Sequence, residues 1–81
     1  MNDFKFDVLL NDIEAVKKMN IAATKRPFDI DVESGRYVVD AKSIMGLFSL
    51  DISKPVTVQL HTHEVKELDD FMEEVQEFVV K

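Results

Sequence analysis

The sequence predicts an α+β fold in which three helices cover one face of a four-stranded antiparallel sheet, in the order βαββαβα. Three observations carry that expectation. Three short segments alternate apolar and polar residues, which is the period of a half-buried strand. Two longer segments carry an apolar stripe at helical spacing beside a charged face. A Ser34-Gly35 turn signal joins one of these segments to a further strand, Arg36 to Ala41, and implies a hairpin.

Taken in order, Phe4, Phe6 and Val8 alternate with Asp3, Lys5 and Asp7 and form the first strand. Asn11 stands three residues before Glu14, an Asn variant of the capping box, so a helix is expected from about Asp12 to Thr24. Its inner face is expected to hold Ile13, Val16, Met19, Asn20 and Ala23, with Lys17 and Lys18 outward. Asp12 and Glu14 suit the positive end of the helix dipole. Pro27 cannot continue the helix and biases Arg26 toward extended geometry. Phe28, Ile30 and Val32 alternate with Asp29, Asp31 and Glu33 in the second strand, and Arg36 to Ala41 is the third. The stretch from Lys42 to Leu50 is dense in apolar residues without alternation and reads as a short helix capped by Ser43. After a loop from Asp51 to Lys54, Pro55 opens a fourth strand with Val56, Val58 and Leu60 on one face. Thr62 is the expected cap of the last helix. Val65, Leu68, Met72, Val75 and Val79 form its stripe, joined by Phe71 and Phe78.

At 81 residues the chain is expected to be one domain, residues 1–81. It has no cysteine, which excludes disulfides and thiolate metal sites. No apolar run approaches a membrane span, and the first residues lack the pattern of a signal peptide, so a cytoplasmic protein is expected. The net charge of -6 argues against nucleic-acid binding, which needs Lys and Arg on phosphates. Seven of the sixteen acidic residues lie between Glu64 and Glu77, as on the solvated face of a helix.

Chemistry-bearing residues are few. His61 and His63 lie two apart without a third ligand at useful spacing, so a solvent-exposed pair is expected rather than a metal site. No nucleophile, base and orienting group occur together, so no enzyme activity and no cofactor are expected. The short helix cannot bury all of Ile44, Met45, Leu47 and Phe48. Met45 and Phe48 are expected outward as a partner surface. Ser43 as a cap would satisfy a free amide, and a phosphate there would sit where the helix start favours negative charge.

The segment Lys42-Ser43-Ile44-Met45-Gly46-Leu47-Phe48-Ser49-Leu50 resembles K-S-I-M-G-V-M-S-L of the HPr (histidine-containing phosphocarrier) family, departing only at Leu47 and Phe48. The order of elements resembles that family over nearly the whole chain. The resemblance implies an open-faced β-sandwich. It implies that Ser43 matches the serine phosphorylated by HPr kinase in many Gram-positive bacteria, and that Lys42, Ile44, Met45, Leu47 and Phe48 bind a partner. Phosphocarriers of the family carry G-I/L-H-A-R-P-A where the first strand meets the first helix. Counting back from Ser43 by the family spacing lands near Asp12, in Asn11-Asp12-Ile13-Glu14-Ala15-Val16-Lys17, without histidine, arginine or proline. Asp12 is therefore the expected position of a lost histidine, and no phosphocarrier residue carries over.

In this respect the chain resembles Crh-type relatives, which lack the histidine, keep the serine and act in carbon catabolite repression. The resemblance implies protein partners, such as HPr kinase/phosphorylase or a transcriptional regulator. A monomer or weak dimer is expected, with no metal, nucleic acid or membrane insertion. A divergent phosphocarrier of the phosphoenolpyruvate-dependent sugar phosphotransferase system, and a self-association domain, are the alternatives.

Overall fold

A computed structural model describes residues 4–80. The strands are β1 (Phe4–Val8), β2 (Ile30–Ser34), β3 (Tyr37–Asp40) and β4 (Val56–Leu60). The helices are α1 (Ile13–Thr24), α2 (Ile44–Phe48) and α3 (Val65–Glu74), followed by a 3-10 turn over Gln76–Phe78. The strands form one antiparallel sheet in the order β1-β4-β2-β3. The expected α+β order is the observed one.

The register explains why the sheet has one dry face. Phe6 lies opposite Val58, Val58 opposite Val32, and Val32 opposite Val39, so one apolar row crosses all four strands. The next row, Asp7, Thr57, Glu33 and Val38, points to the other face and is mostly polar. Because side chains alternate, each strand feeds the core with every second residue. Gly35 opens the β2–β3 loop with a φ of 60°, the only positive φ among the described residues. A Gly at the first of two loop positions is the type II′ arrangement, whose twist suits a hairpin.

Helix α1 buries Ala15, Val16, Met19, Ala22 and Ala23. Asn20 is half-buried, and its Nδ2 donates to the Ala41 carbonyl at 3.1 Å, which ties α1 to the end of β3. Ile13, expected on the inner face, is exposed, because the helix begins at that residue before the stripe meets the core.

Helix α3 also departs from expectation. Val65 is exposed, and Phe71 and Val75 are the residues it and its C-cap bury fully. The helix stops at Glu74 instead of continuing through Val79. Val75, Val79 and Val80 are β-branched and stiff in a helix. Here the chain extends along β1. Val79 bridges Val8, and the Val80 amide donates to the Asp7 carbonyl at 2.9 Å. Thr62 is not the cap either. Glu64 is the N-cap without a side-chain bond, and the Thr62 hydroxyl accepts from the Glu64 amide at 3.2 Å.

The far ends of α1 and α3 are joined by charge. Arg26 donates to Glu74 Oε1 at 2.6 Å and Lys25 to Oε2 at 2.9 Å. The Arg26 guanidinium also sits 5.2 Å from the centre of the Phe71 ring. These hydrogen bonds, from Arg26 first and Lys25 second, hold the Glu74 carboxyl below the usual carboxylate range. No helix among the described residues is long and apolar enough to cross a membrane.

Candidate functional site

Two helix starts carry the residues singled out by sequence. At the first, the chain leaves β1 and is pinned by the Leu9 amide, which donates to the Phe78 carbonyl at 2.8 Å. Leu10 is buried, and the exposed Asn11 and Asp12 follow. Asp12, not Asn11, is the N-cap of α1. Its backbone is extended (φ -149°, ψ 172°), and its Oδ1 accepts from the Ala15 amide at 2.8 Å. Asn and Asp cap about equally well, so the path of the chain leaving β1 decides that Asp12 is the cap.

A surface recess beside this cap is lined by Leu9, Asn11, Asp12, Ala15, Glu77, Phe78, Val79 and Val80. Among the described residues it contains two carboxylates and no Lys, Arg or His. Glu14 stands in the same first turn, with the Lys17 ammonium 4.0 Å from it. Lys18 lies 3.6 Å from Glu77. The recess therefore presents negative charge where a helix start would otherwise attract an anion.

The second start is that of α2. The Asp40 carboxylate accepts from the Lys42 amide at 2.9 Å, and the Asp40 carbonyl accepts from the Ser43 amide at 2.9 Å. This turn delivers Ser43 as N-cap, with its Oγ accepting from the Gly46 amide at 3.2 Å. The hydroxyl group is exposed. Gly46 permits α2 to rest on β3, since a Cβ there would meet Val39 Cβ at 3.2 Å.

The predicted partner residues separate into two sets. Met45 is 76% exposed and Phe48 42%. Leu47 is fully buried, because it is the one residue of this short helix that points straight into the core, so it cannot contact a partner. Ile44 is half-buried and packs against the core. Lys42 turns away from Ser43, its ammonium donating to the Arg26 carbonyl at 2.8 Å. Exposed Ile13 and Ile21 on α1, which packs against α2, add apolar surface that the sequence reading had assigned inward or left aside.

The histidines are not the solvent-exposed pair expected. His61 is half-buried at the end of β4, with its Nε2 2.7 Å from Asp31 Oδ2 on β2. His63 is exposed on the way to α3. Antiparallel pairing of β2 with β4 brings His61 to Asp31 across thirty positions, and no local pattern announces it. Among the described residues no group of three His, Cys, Asp or Glu is placed to hold a metal ion.

The family model described as "PTS HPr component phosphorylation site" matches residues 8–81. Among solved structures, the chain is similar to HPr-C-His from Thermoanaerobacter tengcongensis, with a TM-score of 0.72 and 22% identity over 94% of this chain and 92% of that one. It is also similar to a phosphocarrier protein HPr from Bacillus anthracis str. Ames, with a TM-score of 0.69 and 25% identity over 93% of this chain and 96% of that one. A comparison with curated proteins found no match.

Proposed function

Since the chain belongs to the PTS HPr family, we propose that it is a protein-binding, regulatory member of that family and does not carry phosphate on histidine. The observation behind this reading is the Asp12 carboxylate, seated on the Ala15 amide at 2.8 Å where α1 begins. Asp12 occupies the place that the family spacing assigns to the phosphorylatable histidine. A phosphoryl group there would face Asp12 and Glu77 of the recess and Glu14 of the same helical turn, with no cation among the described lining residues. Like charges at such range disfavour one another. Both histidines lie elsewhere, beyond β4, and His61 is engaged with Asp31.

The partner surface in this reading is Met45 and Phe48 of α2 with Ile13 and Ile21 of α1. Met and Phe side chains free of the core suit an adaptable protein contact. Lys42 and Ile44 support α2 from below. Ser43 is the candidate for phosphorylation: an exposed hydroxyl beside that surface, whose modification would add nearly two negative charges without touching the core. HPr kinase/phosphorylase and a transcriptional regulator are the partner classes the reading names. The protein itself is not an enzyme in this proposal and works in the cytoplasm.

The test has two arms, read by intact mass and peptide mapping. Incubation with HPr kinase and ATP is expected to add one phosphate on Ser43, and none in Ser43→Ala. No added phosphate removes the regulatory form of the proposal. Incubation with phosphoenolpyruvate and enzyme I is expected to leave the mass unchanged. An acid-labile adduct would instead favour the divergent phosphocarrier.

A further inference from the structure

The two edges of the sheet are finished differently. On the β1 side, the C-terminal segment covers the strand: Leu9 and Val80 amides donate to the Phe78 and Asp7 carbonyls, and Val79 bridges Val8. Among the described residues the β3 edge has no such cover. It is also unguarded by chemistry, since Tyr37-Val38-Val39-Asp40 contains no Lys or Pro, and Tyr37 is 73% and Val38 57% exposed. Edges in soluble proteins are normally blunted by such residues or covered.

The direction of the free backbone groups follows from the hairpin. Ser34 and Tyr37 flank the loop, and the Ala41 amide donates to the Ile30 carbonyl at 2.8 Å. Residues 37, 39 and 41 therefore bond inward to β2, and the amides of Val38 and Asp40 point away from the sheet. The Asp40 carbonyl accepts from Ser43 but keeps a second lone pair.

We infer that the β3 edge pairs with the β3 edge of a second copy of this chain, antiparallel and with Val38 opposite Val38. In this register the outward backbone groups of Val38 meet those of the other Val38, and Arg36 at the loop lies across from Asp40. Arg36 of each copy faces Asp40 of the other, so the strand is complementary in charge to itself. Arg36 makes no ion pair among the described residues, so it is available to do this. The two valines pack on the polar face of the sheet, and each Tyr37 lies opposite Val39 of the other copy on the helical face. Opposite charges and apolar pairs placed directly across strands are stabilising. The product is a continuous eight-stranded sheet, and the shortness of β3 makes it a weak, concentration-dependent dimer. This inference stands apart from the reading of Asp12 and Ser43.

Sedimentation velocity on the full chain, over a concentration series reaching the millimolar range, is expected to show a monomer–dimer equilibrium. Val38→Lys places like charges opposite each other and is expected to abolish the dimer, with an unchanged far-UV circular dichroism spectrum. Arg36→Glu opposes Asp40 and is expected to weaken it. Because the chain lacks cysteine, Val38→Cys is expected to form a disulfide-linked dimer under mild oxidation, while Lys66→Cys on α3 is not. An H-bonded antiparallel pair has Cα atoms about 5.5 Å apart, within disulfide reach. A monomer at every concentration overturns the inference, and so does a dimer that survives Val38→Lys.

Discussion

Helices α1 and α2 both begin with a side chain that accepts a hydrogen bond from the amide three residues on. At α1 the acceptor is a carboxylate, Asp12, at 2.8 Å; at α2 it is a hydroxyl, Ser43, at 3.2 Å. The first start already holds its negative charge and has two further acids close by, Glu14 and Glu77. The second has no acid in its first turn, the Asp40 carboxylate lying just before it on the Lys42 amide, and the Lys42 ammonium is bonded to the Arg26 carbonyl. The same backbone geometry therefore presents a carboxylate at one helix start and a hydroxyl at the other.

The largest effect that separates the two regions concerns anchoring. Helix α1 is held by five buried side chains, α2 by Leu47 alone among fully buried residues. Leu47→Ala is expected to cost about 2–5 kcal/mol in urea denaturation. A cost below that range would show that α2 is held by its turn and not by Leu47.

At its far end α1 depends on charge, and the effect is smaller. The folded-state carboxyl of Glu74 ionises at lower pH than in the unfolded chain, chiefly through Arg26 and then Lys25. Its contribution is thus present at neutral pH and above, and is lost as pH falls through the lowered value. Glu74→Gln is expected to destabilise by up to about 1 kcal/mol at pH 7, because solvent screens this exposed pair, and by less as the medium becomes acid. Equal destabilisation at pH 7 and pH 3 would contradict this.

The caps come next. Asp12→Ala is expected to cost about 1 kcal/mol and Ser43→Ala roughly half as much, because the charged acceptor is the stronger one. Chemical denaturation of the two variants side by side would reverse the comparison if Ser43→Ala proved the more damaging. Met45→Ser is the smallest: an exposed substitution is expected to change stability by less than about 0.5 kcal/mol while weakening any partner bound at α2.

The strands and the hairpin were legible because alternation has a strict period and Ser34-Gly35 marks the turn. The Ser43 cap was legible because a serine directly precedes an apolar run. Asp12 as cap was less so, since Asn11 satisfies the same rule and only the geometry of the chain leaving β1 chooses between them. The end of α3 was misread because Val75 and Val79 continue a helical stripe in sequence, while in space the valines serve the core and the edge of β1. The pairs His61–Asp31 and Arg26–Glu74 left no local trace, as each joins elements distant in sequence. Leu47 was grouped with its apolar neighbours, although a helix of this length must commit one of them to the core.

The central claim is that the start of α1 no longer receives phosphate. The direct measurement is intact mass after incubation with phosphoenolpyruvate and enzyme I, with a histidine-bearing phosphocarrier as the positive control. The account predicts transfer to the control and an unchanged mass for this chain. A labile phosphate on Asp12, His61 or His63 would contradict it.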